Sequence, residues 1–115
     1  MTRATQAREL FDRVAERYRD EPSVTEGTGF GSSPGLRVGG KIFAMLSHDE
    51  LVVKLPAARV DALIANGTAT RFDAGKGRPM REWATIPAGR SEWWREIVDE
   101  AFAFVGTGKP QPGTR

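Results

Sequence analysis

Apolar residues recur along this chain at two different spacings. Near the N-terminus, Ala7, Leu10, Phe11, Val14, Ala15 and Tyr18 follow the i, i+3, i+4, i+7, i+8, i+11 rhythm of one stripe on a helix. Arg8–Asp12 and Glu9–Arg13 set opposite charges four residues apart on the wet side, each pair adding a few tenths of a kcal/mol. Pro22 is expected to end this helix, because it disfavours helical geometry at Glu21. The stripe reads first as a face turned to the protein's own core, and second as a docking face for a partner helix.

The middle of the chain changes to short apolar runs separated by turn residues. Val24–Glu26 is a short candidate strand, and Leu36-Arg37-Val38 leads into Gly39-Gly40, a dipeptide suited to the positive φ of tight hairpins. Lys41–Leu46 returns as the second arm. Ser47-His48-Asp49-Glu50 turns the chain again, and Leu51–Leu55 forms the next strand. Strands joined by such short turns must be antiparallel.

Helical spacing returns after Pro56, with Val60, Leu63 and Ile64 as the inner face and Gly67 as the stop. Strands are predicted at Thr68–Phe72 and Met80–Ile86, on either side of the Gly- and Pro-rich loop at 73–79. Ser91 is expected to cap a last helix whose inner face is Trp94, Ile97, Val98, Ala101, Phe102 and Val105, with Gly106 stopping it. The predicted class is α+β: an antiparallel sheet of about five strands flanked by N-terminal, middle and C-terminal helices. One domain is expected over 1–106, with a disordered tail at 107–115.

Composition narrows the chemistry. The 115 residues allow one core. With no cysteine and one histidine, a disulfide scaffold, a zinc ribbon, an iron–sulfur cluster and a thiol nucleophile are all excluded. No cofactor or metal is expected. No apolar run approaches membrane-spanning length, so no membrane partner and a cytoplasmic location are expected.

The net charge of +2 is unevenly spread. Residues 67–90 carry five basic side chains against two acidic ones, whereas 91–105 carry Arg95 against Glu92, Glu96, Asp99 and Glu100. Lys41, Arg71, Lys76, Arg78 and Arg81 are the candidate contacts to phosphate or another anion. The competing reading pairs these arginines with Glu82 and the acidic last helix. His48, beside Asp49 in a turn, reads as solvated rather than catalytic, since neither a nucleophile motif nor a ligand cluster accompanies it. The acidic helix positions read as a solvated face. Gly27–Gly35 lacks the strand-then-helix setting of a phosphate loop and reads as a flexible connection. Trp83, Trp93 and Trp94 read as core or core-edge residues. No catalytic residue is identified, and the chain is not expected to be an enzyme.

Three blocks carry a family resemblance: Gly40-Lys41-Ile42-Phe43-Ala44, Leu51-Val52-Val53-Lys54-Leu55-Pro56, and Gly75-Lys76-Gly77-Arg78-Pro79-Met80-Arg81-Glu82-Trp83. Together they resemble the TfoX/Sxy N-terminal domain family over about residues 8–105. The related YjbR/MmcQ family shares the first two blocks and a later tryptophan-containing strand. The resemblance implies an α+β domain, an association with regulation of natural competence on the TfoX side, and a double-wing, DNA-binding-like fold on the YjbR side. Two features depart from the TfoX pattern: Gly29-Phe30-Gly31-Ser32-Ser33 replaces the usual Met-Phe-Gly-Gly segment, and a second helical domain is not expected. Two functions are carried forward: a nucleic-acid-associated or regulatory binding domain, and a protein–protein interaction module. Oligomeric state is left open.

Overall fold

Two tight turns decide the topology of the sheet. Gly39 and Gly40 take φ of 59° and 82°, joining β2 (Gly35–Val38) to β3 (Lys41–Ser47). His48 and Asp49 make the next turn with φ of 51° and 65°, joining β3 to β4 (Glu50–Lys54). In a computed structural model that describes residues 3–27, 34–73 and 79–107, the order is α1 (Arg3–Glu16), β1 (Val24–Glu26), β2, β3, β4, α2 (Ala57–Ala65), β5 (Thr70–Asp73), β6 (Pro79–Ile86), a 3₁₀ segment (Ala88–Trp93) and α3 (Trp94–Thr107). The strands form one antiparallel sheet in the order β1-β2-β3-β4-β6-β5. The α+β class holds, with six strands rather than about five, because Val24–Glu26 pairs with β2 at Val24↔Val38.

Alternation along the strands separates two faces. Leu36, Val38, Ala44, Leu51, Val53, Ala84 and Ile86 are buried in one cluster with residues of all three helices. A bulge lets Phe43 join them: Leu36 pairs with Ala44 and Arg37 with Ile42, so Phe43 is the extra residue on β3. Phe43 is fully buried and packs edge-on to Tyr18 of the segment after α1 and to Phe102 of α3. Val52 is fully buried as well but lies outside this cluster, on the other face.

Element ends depart from the predictions in four places. Helix α1 stops at Glu16 rather than at Pro22, and Tyr18 is held beyond it by an i→i−3 bond from its N–H to the Ala15 carbonyl (2.9 Å). Of the two charge pairs expected on α1, Arg8–Asp12 forms (3.0 Å) and Glu9–Arg13 does not. Ser91 does not cap α3: Pro87 precedes a 3₁₀ segment that contains Ser91 and runs into the helix at Trp94. Gly106 does not stop α3, which continues to Thr107 and passes beside Val38, whose Cγ2 would be in ordinary contact (3.6 Å) with a Cβ at position 106.

Gly67 does terminate α2, with φ of 82°. Its N–H bonds to the Ile64 carbonyl (3.1 Å) and the Thr68 N–H to the Leu63 carbonyl (3.0 Å), the paired bonds of a Schellman ending. Because the Ala69 N–H also reaches Leu63, β5 begins at Thr70, not Thr68. Of the expected tail at 107–115, Thr107 belongs to α3 and the rest lies outside the described residues.

Candidate nucleic-acid interface

The five basic residues singled out in the sequence do not form one footprint. Arg71 stands opposite Ala84, on the helix-layer side, and donates from Nη2 to Asp61 Oδ1 of α2 at 2.7 Å. A second, longer bond runs from its Nη1 to the Arg81 carbonyl (3.4 Å). Lys41 is exposed beside Val38, also on the helix-layer side, at the end of the first hairpin. Arg81 is exposed and alternates with Ala84 and Ile86, which puts it on the opposite face. Lys76 and Arg78 lie outside the described residues.

Nor is the acidic helix a solvated face throughout, or, among the described residues, a partner of the basic segment. Glu92 and Glu96 are exposed, but Asp99 accepts bonds from Arg17 Nη1 (2.8 Å) and from the Tyr18 hydroxyl. Glu100 takes both arms of Arg59, Nε at 2.8 Å and Nη2 at 3.0 Å. Desolvation and these carboxylate partners act on the bases in opposite senses. The hydrogen bonds win, raising the affinity of Arg17 and Arg59 for their protons. Both acids on α3 are therefore structural, tying α1 and α2 to the last helix. His48 is exposed at its turn, as expected, with Ser47 Oγ 3.4 Å from Nδ1.

The side of the sheet turned away from the helices has a different character. The register aligns Met45 with Val52 and Val52 with Thr85; Lys54 aligns with Trp83, and Thr70 with Thr85. Phe72, two residues after Thr70, brings its ring to 6.5 Å from Trp83 at an interplanar angle of 53°. That separation lies within the range of attractive aromatic pairs. Lys54 Nζ lies 5.8 Å from the Trp83 ring centre, in cation–π range, and only loosely reaches Glu82 at 3.9 Å. Arg37, between the inward Leu36 and Val38, belongs to this side, and its Nε is buried without a hydrogen-bond partner. Among the described side chains, Arg37, Lys54 and Arg81 lie on this surface with Glu50, and the Glu82 carboxylate reaches Lys54 at its edge. None of Ile42, Met45, Phe72 or Trp83 belongs to the cluster under the helices.

Of the three tryptophans read as core or core-edge, Trp83 lies outside the cluster beneath the helices. It is a half-buried ring on the side turned away from the helices, in a strand whose alternate residues, Ala84 and Ile86, are buried beneath them. Lys54 and Arg37 were missed altogether. Counting by twos from the buried positions of β4 and β2 finds both, and net segment charge, the signal followed instead, cannot. Trp93 is half-buried against the core, and Trp94 is buried with its Nε1 donating to the Pro87 carbonyl (3.2 Å).

Among the described residues, no group of three or more His, Cys, Asp or Glu is placed to hold a metal ion. No described helix is long and apolar enough to cross a membrane. Neither a curated protein nor a solved structure matches the chain. The sequence model of the YjbR family matches residues 6–104, spanning every strand and nearly all of the three helices. The chain belongs to the YjbR family.

Proposed function

We propose that this YjbR-family chain is a non-enzymatic binding domain that takes single-stranded nucleic acid on the helix-free side of its sheet. The observation that carries the reading is the Phe72–Trp83 ring pair with the Lys54 ammonium over Trp83. Bases stack on exposed aromatic rings irrespective of sequence, and nearby cations meet the phosphates. Lys54 would swing from the ring to a phosphate, with Arg37 and Arg81 tracking the strand on either side. Of the five bases singled out in the sequence, Arg81 alone among the described residues stands on this surface; Lys41 remains a peripheral contact and Arg71 is committed to Asp61. A cytoplasmic location and a regulatory role belong to this proposal.

The test is fluorescence anisotropy with labelled single-stranded and duplex oligonucleotides at low salt. Binding that prefers single strands and weakens with rising salt supports the proposal. No binding at high micromolar protein overturns it in favour of a protein-interaction module.

A further inference from the structure

A second surface, on the helix layer, has the makings of a small-molecule site. The cleft between α1 and the start of α3 has a volume of about 420 Å³. Leu10, Val14 and Trp94 supply its apolar lining, Arg13, Arg17 and Arg95 its charge, and Ser91 a hydroxyl. No lining residue is acidic. Arg17 is held by Asp99, whereas Arg13 and Arg95 are exposed and make no ion pair among the described residues. Two uncommitted guanidinium groups therefore stand at the edge of an apolar pocket.

We infer that this cleft binds a small organic acid: a carboxylate on a compact, flat apolar body. A volume of this size fits a ligand of small-molecule dimensions rather than a helix or an extended strand. Guanidinium groups take a carboxylate in paired hydrogen bonds. The apolar body would pack on Leu10, Val14 and the edge of Trp94, while the carboxylate bridges Arg13 and Arg95. Arg17, its charge met and its side chain held by Asp99, fixes one wall of the cleft without having to be ordered by the ligand. This site is on the opposite side of the molecule from the aromatic pair, so its occupancy and nucleic-acid binding are separate events.

The experiment titrates the full chain with 1-naphthaleneacetate and, separately, with the uncharged 1-naphthaleneacetamide, following ¹H–¹⁵N NMR cross-peaks. The expected result is saturable movement of the Trp94 indole and of amides around 10–17 and 91–95, with the carboxylate bound about fivefold or more tightly than the amide. The double variant R13A/R95A removes two exposed, unpaired side chains, so it should fold normally and lose that preference. The proposal is overturned by equal binding of acid and amide, by full affinity in R13A/R95A, or by perturbations confined to the sheet. Absence of binding, or tighter binding of an acidic peptide than of the small acid, overturns it too.

Discussion

The hydroxyl of Tyr18 donates to the carboxylate of Asp99, joining the turn after α1 to the middle of α3 across 81 residues of sequence. Burial and this bond both favour the neutral phenol, as does the carboxylate's negative charge, so the Tyr18 hydroxyl is pushed well above its ordinary value of 10.0. Tyr18 is the one tyrosine in the chain, which makes its ionisation directly readable. Because the folded value is raised, the stabilisation is fully present below pH 10 and is lost as pH climbs through the folded value. Ultraviolet difference titration should show little phenolate at pH about 10.5 in the folded protein and about three-quarters ionisation in denaturant. A folded-state midpoint near that of free tyrosine would refute the link.

The bidentate Arg59–Glu100 pair joins α2 to α3, with about a third of each side chain exposed. A double-mutant cycle with Arg59→Ala and Glu100→Ala should give a coupling of about 1 kcal/mol in urea unfolding, because the geometry is good but solvent still screens the pair. Coupling indistinguishable from zero would make the contact incidental.

Phe43 sits at the bulge where Tyr18 and Phe102 meet. Phe43→Ala should destabilise the fold by about 3–5 kcal/mol, since a fully buried ring is removed from a site with little room to collapse. A thermal melt unchanged by this substitution would show that the bulge does not direct Phe43 inward.

The His48–Asp49 turn uses two non-glycine residues at positive φ, a region that disfavours side chains. Replacing them by H48N/D49G installs the residues this turn prefers and should stabilise the protein by about 0.5–1 kcal/mol, measured by chemical denaturation. A loss of stability would mean that local contacts of His48, such as that with Ser47, outweigh the backbone strain.

How much of this was legible in the residues varies with the range of the interaction. The helical stripes, the Gly39-Gly40 turn and the Gly67 stop were readable because each depends on a few neighbouring residues. Helix ends were harder: nothing in the local sequence says that Tyr18 leaves the helix to reach Asp99, or that Pro87 starts a 3₁₀ segment ahead of Trp94. The bulge at Phe43 depends on pairing with β2 and leaves no mark in β3 alone. The basic segment misled because charge was summed along the chain, whereas a strand sends successive side chains to opposite faces. That alternation commits Arg71 to Asp61 and leaves Arg81 on the far side. Trp83 joins Lys54 only because β4 and β6 are neighbours, an adjacency that skips β5.

The binding face itself is best interrogated through the indole of Trp83. The three tryptophans give three indole cross-peaks in ¹H–¹⁵N NMR, and Trp83→Phe assigns the relevant one. On titration with a short oligothymidylate at low salt, the Trp83 signal should shift and saturate while that of buried Trp94 stays in place. Lys54→Ala should weaken the same titration, and Trp83→Ala should weaken it by about tenfold. A stationary Trp83 signal at saturating oligonucleotide would rule out the helix-free side of the sheet as the nucleic-acid surface.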